Sequence, residues 1–371
     1  MNILRKILIG HFFRMMVAGV VFRDTVIENV DKFINCGRNG YASFVCEDCG
    51  IFHHINFRCK SRFCTTCGNR YNIERAEVMS RKILDVPHRH CIFTIPDTLR
   101  IFFRRDYQLL QLFFNAVSVC IHRQFNGKTP AFICVLHTFG RDLKWNPHIH
   151  VVLAEGAFDK FGIWRKKDFF NYESLRKSFQ AILLKSMFEK LGQPFKSTMN
   201  ECYKSAKNGF FVYAPKQKGK IRNLISYIGR YLGRPVIATS RISSYDGKNV
   251  TFHYKRHEDD KSVTETITAE NFIKRLVVHI PPRYFNMVRF YGAYAKPSEY
   301  MRKLGKTLSN SKGRLFFRKL SLKTFGVDPQ KCRLCGKAMV LFCLTFTPNN
   351  KIFIHTTIPP PLYTHISVTC G

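Results

Sequence analysis

Acidic side chains are scarce in this chain: 25 Asp and Glu stand against 60 Lys and Arg in 371 residues, a formal charge of +35. The excess runs from end to end, which excludes a basic tail on a neutral body and calls for a polyanionic partner. Nucleic acid leads, because phosphate neutralisation with counterion release turns such charge into affinity. No basic amphipathic anchor stands out, so no membrane partner is expected. Long apolar runs are missing too. Residues Ile7 to Phe22 come nearest, but His11 and Arg14 interrupt them and no small-residue cleavage site follows. The stretch reads as an amphipathic helix, not as a signal peptide or a membrane span. There is no Walker or G-x-G-x-x-G loop, which argues against nucleotide-driven chemistry. Neither a fixed-period repeat nor a low-complexity linker occurs, so a solenoid is excluded and two or three ordinary domains are expected.

What is present begins with thiols. Fourteen cysteines without a secretory signal point to a reducing, cytoplasmic setting, where Cys pairs at short spacing are metal sites more often than disulfides. Cys46-Glu47-Asp48-Cys49-Gly50 and Cys64-Thr65-Thr66-Cys67-Gly68 form two C-x-x-C pairs, with a spacing that approaches a treble-clef or ribbon zinc site. The expected set for one structural Zn²⁺ is therefore Cys46, Cys49, Cys64 and Cys67. Cys59, His53 and His54 lie between the pairs and can replace a ligand or serve a second ion. Arg62 and Arg70 flank this knuckle and suit a DNA contact. Near the end, Cys332-Arg333-Leu334-Cys335 is a further C-x-x-C for a second zinc, with Cys343, His355, His365 and Cys370 all available as partners.

The densest stretch is Asn146-Pro147-His148-Ile149-His150-Val151-Val152-Leu153. It predicts a strand with both imidazoles on one face and Ile149 on the other. Ala131 to His137 reads as a preceding strand, and a connection over 138–147 makes the two a hairpin that sets His137 beside His148. His137, His148 and His150 are thus candidate ligands for one divalent ion. Further on, Ile221, Ile225, Ile228 and Leu232 form a helical stripe, and Tyr227 and Tyr231 project together from its flank. Arg222, Arg230 and Arg234 surround them, an environment that helps a phenol lose its proton and meet a phosphate.

Between these sites the periodicity predicts a helix over 69–84, a strand from His90 to Pro96 and one long helix over 99–125. A second helix falls within 164–191, with a basic start at Arg165-Lys166-Lys167. A strand over 209–213 is followed by a meander over 236–267 and a short helix over 269–276. Residues 296–325 form a basic arm. The class is α+β: a cysteine-rich zinc domain over 1–80, an antiparallel sheet covered by helices over 85–295, and a basic region over 296–371.

In this order the parts resemble the two-tyrosine HUH transposases of rolling-circle insertion sequences, from about Val26 to Cys335. The resemblance rests on Cys59-Lys60-Ser61-Arg62-Phe63-Cys64, Phe93-Thr94-Ile95-Pro96, Leu136-His137-Thr138-Phe139-Gly140, Asn146 to His150, and Tyr227-Ile228-Gly229-Arg230-Tyr231. It implies an HUH-type sheet with His148 and His150 as ligands of a catalytic Mg²⁺ or Mn²⁺, and Tyr227 and Tyr231 as nucleophiles. The imidazole donors taken alone favour zinc or another transition metal. The implied activity is nicking and rejoining of single-stranded DNA at element termini and target sites through a 5′-phosphotyrosine, in a bacterial, nucleoid-associated protein whose oligomeric state is left open. A zinc-dependent nucleic-acid-binding protein without catalysis and a rolling-circle initiator or relaxase are the alternatives.

Overall fold

The computed structural model describes residues 2–65, 67–68, 71, 73–74, 79, 83–167, 169–215, 236–256, 259–296, 299–300, 322, 328 and 330–346, with the backbone alone of 351–354. Helices α1 (Ile3–Val17) and α2 (Asp24–Ile34) precede strands β1 (Gly40–Val45) and β2 (Phe52–Asn56). There follow β3 (His88–Thr94), α3 (Asp97–Arg105), α4 (Leu109–Arg123), β4 (Thr129–Phe139) and β5 (Trp145–Phe158). Next come β6 (Trp164–Lys166), α5 (Tyr172–Leu191), α6 (Lys196–Ser205) and β7 (Val212–Tyr213). The last part holds β8 (Ile242–Tyr245), β9 (Asn249–Lys255), β10 (Ser262–Thr268), α7 (Ala269–Val277), β11 (Val288–Gly292), β12 (Val340–Phe346) and β13 (Lys351–Ile354). The fold is α+β, with antiparallel sheets.

The chain divides into two compact units. The larger is Met1–Ile27 with Asn72–Asn310, and the smaller is Glu28–Tyr71 with Ser311–Gly371. This division differs from boundaries near residues 80 and 296. Helix α1 belongs with the larger unit because its apolar stripe of Leu4, Ile7, Leu8, Phe12 and Met15 is buried there, and His11 Nε2 lies 2.9 Å from the Tyr245 hydroxyl.

The larger unit is built on an antiparallel sheet of order β11-β4-β5-β3-β7, with β6 paired to β5. Its central strands are buried on both faces. From β5, Ile149, Val151 and Leu153 pack with Phe113, Val117, Phe179 and Leu183 of α4 and α5. The alternate residues Val152 and Ala154 pack on the other face with Ala131, Ile133, Val135, Leu84 and Tyr294. Each large apolar side chain so buried contributes roughly 1.5–3 kcal/mol. A second, three-stranded sheet of order β10-β9-β8 is the meander read from the sequence. The single helix expected over 99–125 is instead two. Asp106 is extended, and its carboxylate accepts the Gln108 N–H at 2.8 Å, a local turn that ends α3 before α4 begins. The basic run at 165–167 enters strand β6 instead of starting a helix, and α5 starts only where Asn171 caps it by accepting the Ser174 N–H at 3.0 Å.

In the smaller unit, β13-β12-β1-β2 form one antiparallel sheet, so strands from the two ends of the chain share hydrogen bonds.

Candidate metal centres

Strands β4 and β5 extend further than the sequence reading allows, to Phe139 and from Trp145, which leaves a tight five-residue connection. Gly140 N–H donates to the Lys144 carbonyl at 3.1 Å, and Leu143 takes a left-handed φ of 65° within it. The register pairs His137 with His148 and Val135 with His150, as the hairpin reading expects. On the other side β3 places Thr94 opposite His148 and Ile92 opposite His150. Because side chains alternate, His137, His148 and His150 share the face that also carries Val135, Val152 and Ala154. Their ligand nitrogens all lie within 4.8 Å of one another, and the ring centroids are 4.4 to 5.5 Å apart. His137 and His150 are buried and His148 is half-buried.

Hydrogen bonds orient two of these rings. His148 Nδ1 donates to the Asn146 carbonyl at 2.7 Å, so its Nε2 is the ligand atom. His150 Nδ1 lies 2.8 Å from Nε2 of His90, a buried residue on β3. When His150 is the donor of that bond, its own Nε2 lone pair is the one left for a metal ion. His150 titrates far below the usual imidazole range because it is buried, with His137, His148 and His90 adding repulsion. Burial likewise holds His90 down to about 4. Both rings are therefore neutral near pH 7, the form that binds metal. Asn146 Oδ1 is buried and has no hydrogen-bond partner among the described residues. The donor set fits a divalent ion.

Tyr227, Tyr231, Arg222, Arg230, Arg234 and Arg70 lie outside the described residues. The segment that leads to the tyrosines is held firmly up to its last described residues. Strand β7 pairs with β3 at Ile92 and Phe93. The Ala214 carbonyl accepts from Tyr172 and, at 3.2 Å, from Arg89, whose guanidinium is paired with Glu155 at 2.9 Å in a buried ion pair.

In the smaller unit the cysteines form two sets. Cys36, Cys59, Cys64 and Cys67 are one, and Cys46, Cys49, Cys332 and Cys335 the other; within each the sulfurs all lie within 4.8 Å. Cys36 Sγ is 3.7 Å from Cys64 Sγ and 3.8 Å from Cys67 Sγ. A zinc tetrahedron with bonds of about 2.3 Å has edges of about 3.8 Å, so these spacings fit the ion. This corrects the grouping of Cys46, Cys49, Cys64 and Cys67 around one ion. The reason is strand pairing: β1, which ends at Val45, is hydrogen-bonded to β12, so the knuckle after β1 meets the one before β12. The sequence reading missed Cys36, a lone cysteine just past α2, and His90. The His88-Arg89-His90 pattern, a copy of the His148-Ile149-His150 spacing on a neighbouring strand, was the available signal for the latter. Arg62 is exposed on a turn beside the first set, its backbone N–H held by Asn29 Oδ1 at 3.0 Å.

Comparison with known proteins agrees with this layout. Residues 131–301, which enclose the three histidines and both tyrosines, match a family described as "Putative transposase". Residues 10–95 match a "Transposase zinc-binding domain". The "Transposase for insertion sequence element IS801" of Pseudomonas savastanoi pv. phaseolicola is 30% identical over 346 residues, covering 86% of this chain and 83% of that protein. The "Putative transposase y4qJ" of Sinorhizobium fredii (strain NBRC 101917 / NGR234) is 27% identical over 274 residues, covering 67% and 68%. No solved structure matches. The zinc-binding match and the thiol clusters together support Zn²⁺ as a bound ion.

Proposed function

Because the chain belongs to the transposase family of insertion sequence IS801, we propose that it cleaves and rejoins single-stranded DNA at element ends through a 5′-phosphotyrosine. The observation that carries this reading is the cluster of His137, His148 and His150 on one face of a hairpin. A divalent ion held there, Mg²⁺ or Mn²⁺, supplies polarisation of a non-bridging phosphate oxygen. Three imidazoles prefer Mn²⁺ of these two.

The protein's own groups do the rest. The hydroxyl of Tyr227 or Tyr231 loses its proton and attacks the phosphorus, and its new P–O bond replaces the bond to the 3′ oxygen. That oxygen leaves, takes up a proton and becomes a 3′-hydroxyl. One phosphodiester is exchanged for another, so no ATP is needed. Two tyrosines let a second strand be cut while the first is still attached, and attack of a 3′-hydroxyl on the phosphotyrosine joins donor to target. Arg222, Arg230 and Arg234 bind phosphates beside the tyrosines, and the smaller unit, with Arg62 and Arg70, holds flanking DNA. No helix among the described residues is long and apolar enough to cross a membrane. In this reading the substrate is the DNA of a bacterial cytoplasm.

The test is incubation of the full chain with single-stranded oligonucleotides carrying the element's terminus and Mn²⁺ or Mg²⁺, followed by a denaturing gel. A covalent protein–DNA band that disappears in Tyr227→Phe/Tyr231→Phe, with binding retained, is expected. Binding without any adduct from the wild type leaves a zinc-dependent binding protein and overturns the catalytic reading.

A further inference from the structure

We propose that Cys46, Cys49, Cys332 and Cys335 hold a second structural zinc ion, distinct from that of Cys36, Cys59, Cys64 and Cys67, which closes the smaller unit by pinning its C-terminal knuckle to its N-terminal one. The zinc-binding match ends at residue 95, so it does not account for Cys332 and Cys335.

The two knuckles share one backbone design. Each reads C-x-x-C-Gly. Gly50 N–H donates to the Cys46 carbonyl at 2.8 Å, and Gly336 N–H to the Cys332 carbonyl at 3.0 Å. Both glycines are left-handed, at φ 67° and 73°, a conformation that a side chain would strain. The first cysteine of each knuckle donates its N–H to the carbonyl five residues on, Cys46 to Ile51 at 3.0 Å and Cys332 to Lys337 at 2.8 Å. Cys46 Sγ and Cys335 Sγ lie 3.6 Å apart, close to the tetrahedral edge of about 3.8 Å.

The surroundings make the pair a structural site. Cys46 and Cys332 are buried with Phe44 and Met339, and Ile51, Ile55 and Leu341 pack against them. Lys337 Nζ meets Asp48 at 2.5 Å across the two knuckles. Four thiolates around one ion leave no open coordination position, as in structural and not catalytic zinc, even though Cys335 itself is exposed. The ligands lie on both sides of the sequence that forms most of the larger unit, 289 residues apart for Cys46 and Cys335. The ion therefore completes the smaller unit only after the rest of the chain has been made, and a chain cut before residue 332 keeps half a site.

The experiment is metal counting by inductively coupled plasma mass spectrometry on the purified full chain, after a weak chelating resin has cleared exchangeable metal from the three histidines. Two zinc ions per wild-type chain are expected, and one in Cys332→Ser/Cys335→Ser. One zinc in the wild type, or two in the double variant, overturns the proposal. Should the serine variant fail to fold, Co²⁺ titration of the wild type decides: thiolate-to-cobalt absorption that saturates at two equivalents supports the second site, and saturation at one overturns it. The Cys335→His variant then adds a spectral check, with one site's d–d bands shifted towards S₃N coordination while two equivalents still bind.

Discussion

His137, His148 and His150 meet because one tight hairpin fixes their register, whereas Cys46 and Cys335 meet across 289 residues. The hairpin is held by its own apolar faces and needs no ion to form. In the smaller unit the described residues form a sheet four strands wide, and two of its strands come from the far end of the chain. Cross-linking a loop of that length removes about 6 kcal/mol of chain entropy in the simple loop-closure model. The same protein thus has a site that the fold makes and a fold that sites make.

The largest effect that separates the two is zinc removal. Structural zinc contributes roughly 10–16 kcal/mol of apparent binding energy. A strong chelator is expected to strip hydrogen-exchange protection from β1, β2 and β12 while β4 and β5 keep theirs, as read by peptide-resolved mass spectrometry. Equal loss in both would erase the contrast.

A smaller break runs the other way. Arg89 and Glu155 are an ion pair with side chains 3% and 4% exposed, and Arg89 also stacks on Phe170 at 4.6 Å. Replacing Glu155 with Gln leaves a buried charge without its counterpart and is expected to cost about 3–5 kcal/mol. The thermal transition of the larger unit falls while the zinc content of the chain stays constant.

Acid sharpens the comparison. Burial holds His88 and His279 down to about 4, with His88 bonded to the Tyr294 hydroxyl and His279 to the Leu143 carbonyl of the hairpin turn. Their folded values lie below the ordinary imidazole value, so the unfolded chain takes up protons first. Stability of the larger unit is complete above about pH 6.5 and is lost as pH falls towards 4, by up to about 3 kcal/mol per histidine. Melting curves across that window check it, and His279→Gln flattens the slope.

The smallest effect concerns His90, which acts through His150. His90→Ala is expected to weaken the Mn²⁺ dependence of adduct formation by about 10–100-fold. Melting temperature and zinc content change little, whereas a merely structural role would lower stability and leave the metal dependence alone.

How much of this was legible follows from the distances involved. Period-two alternation and a short connection placed His137 against His148 directly from the sequence, since register is a local property. The meander and α7 were legible for the same reason. The thiol sets were not: two C-x-x-C pairs close in sequence invite pairing with each other, and only the β1–β12 ladder reveals that Cys46 and Cys49 belong with Cys332 and Cys335. Cys36 carries no motif of its own and is recruited by where α2 ends. The break between α3 and α4 hid behind continuous helical periodicity, because one Asx turn at Asp106 outweighs it.

The most direct test of the central contrast removes exchangeable metal without touching zinc. The full chain is passed over a weak chelating resin, its zinc is counted, and adduct formation with single-stranded element-end DNA is measured before and after Mn²⁺ is restored. The account expects zinc to stay at its starting level, the adduct to vanish and then return with Mn²⁺, and His148→Ala/His150→Ala to abolish the adduct with zinc unchanged. Adduct formation that persists on the stripped protein, or zinc that departs with the histidines, would contradict it.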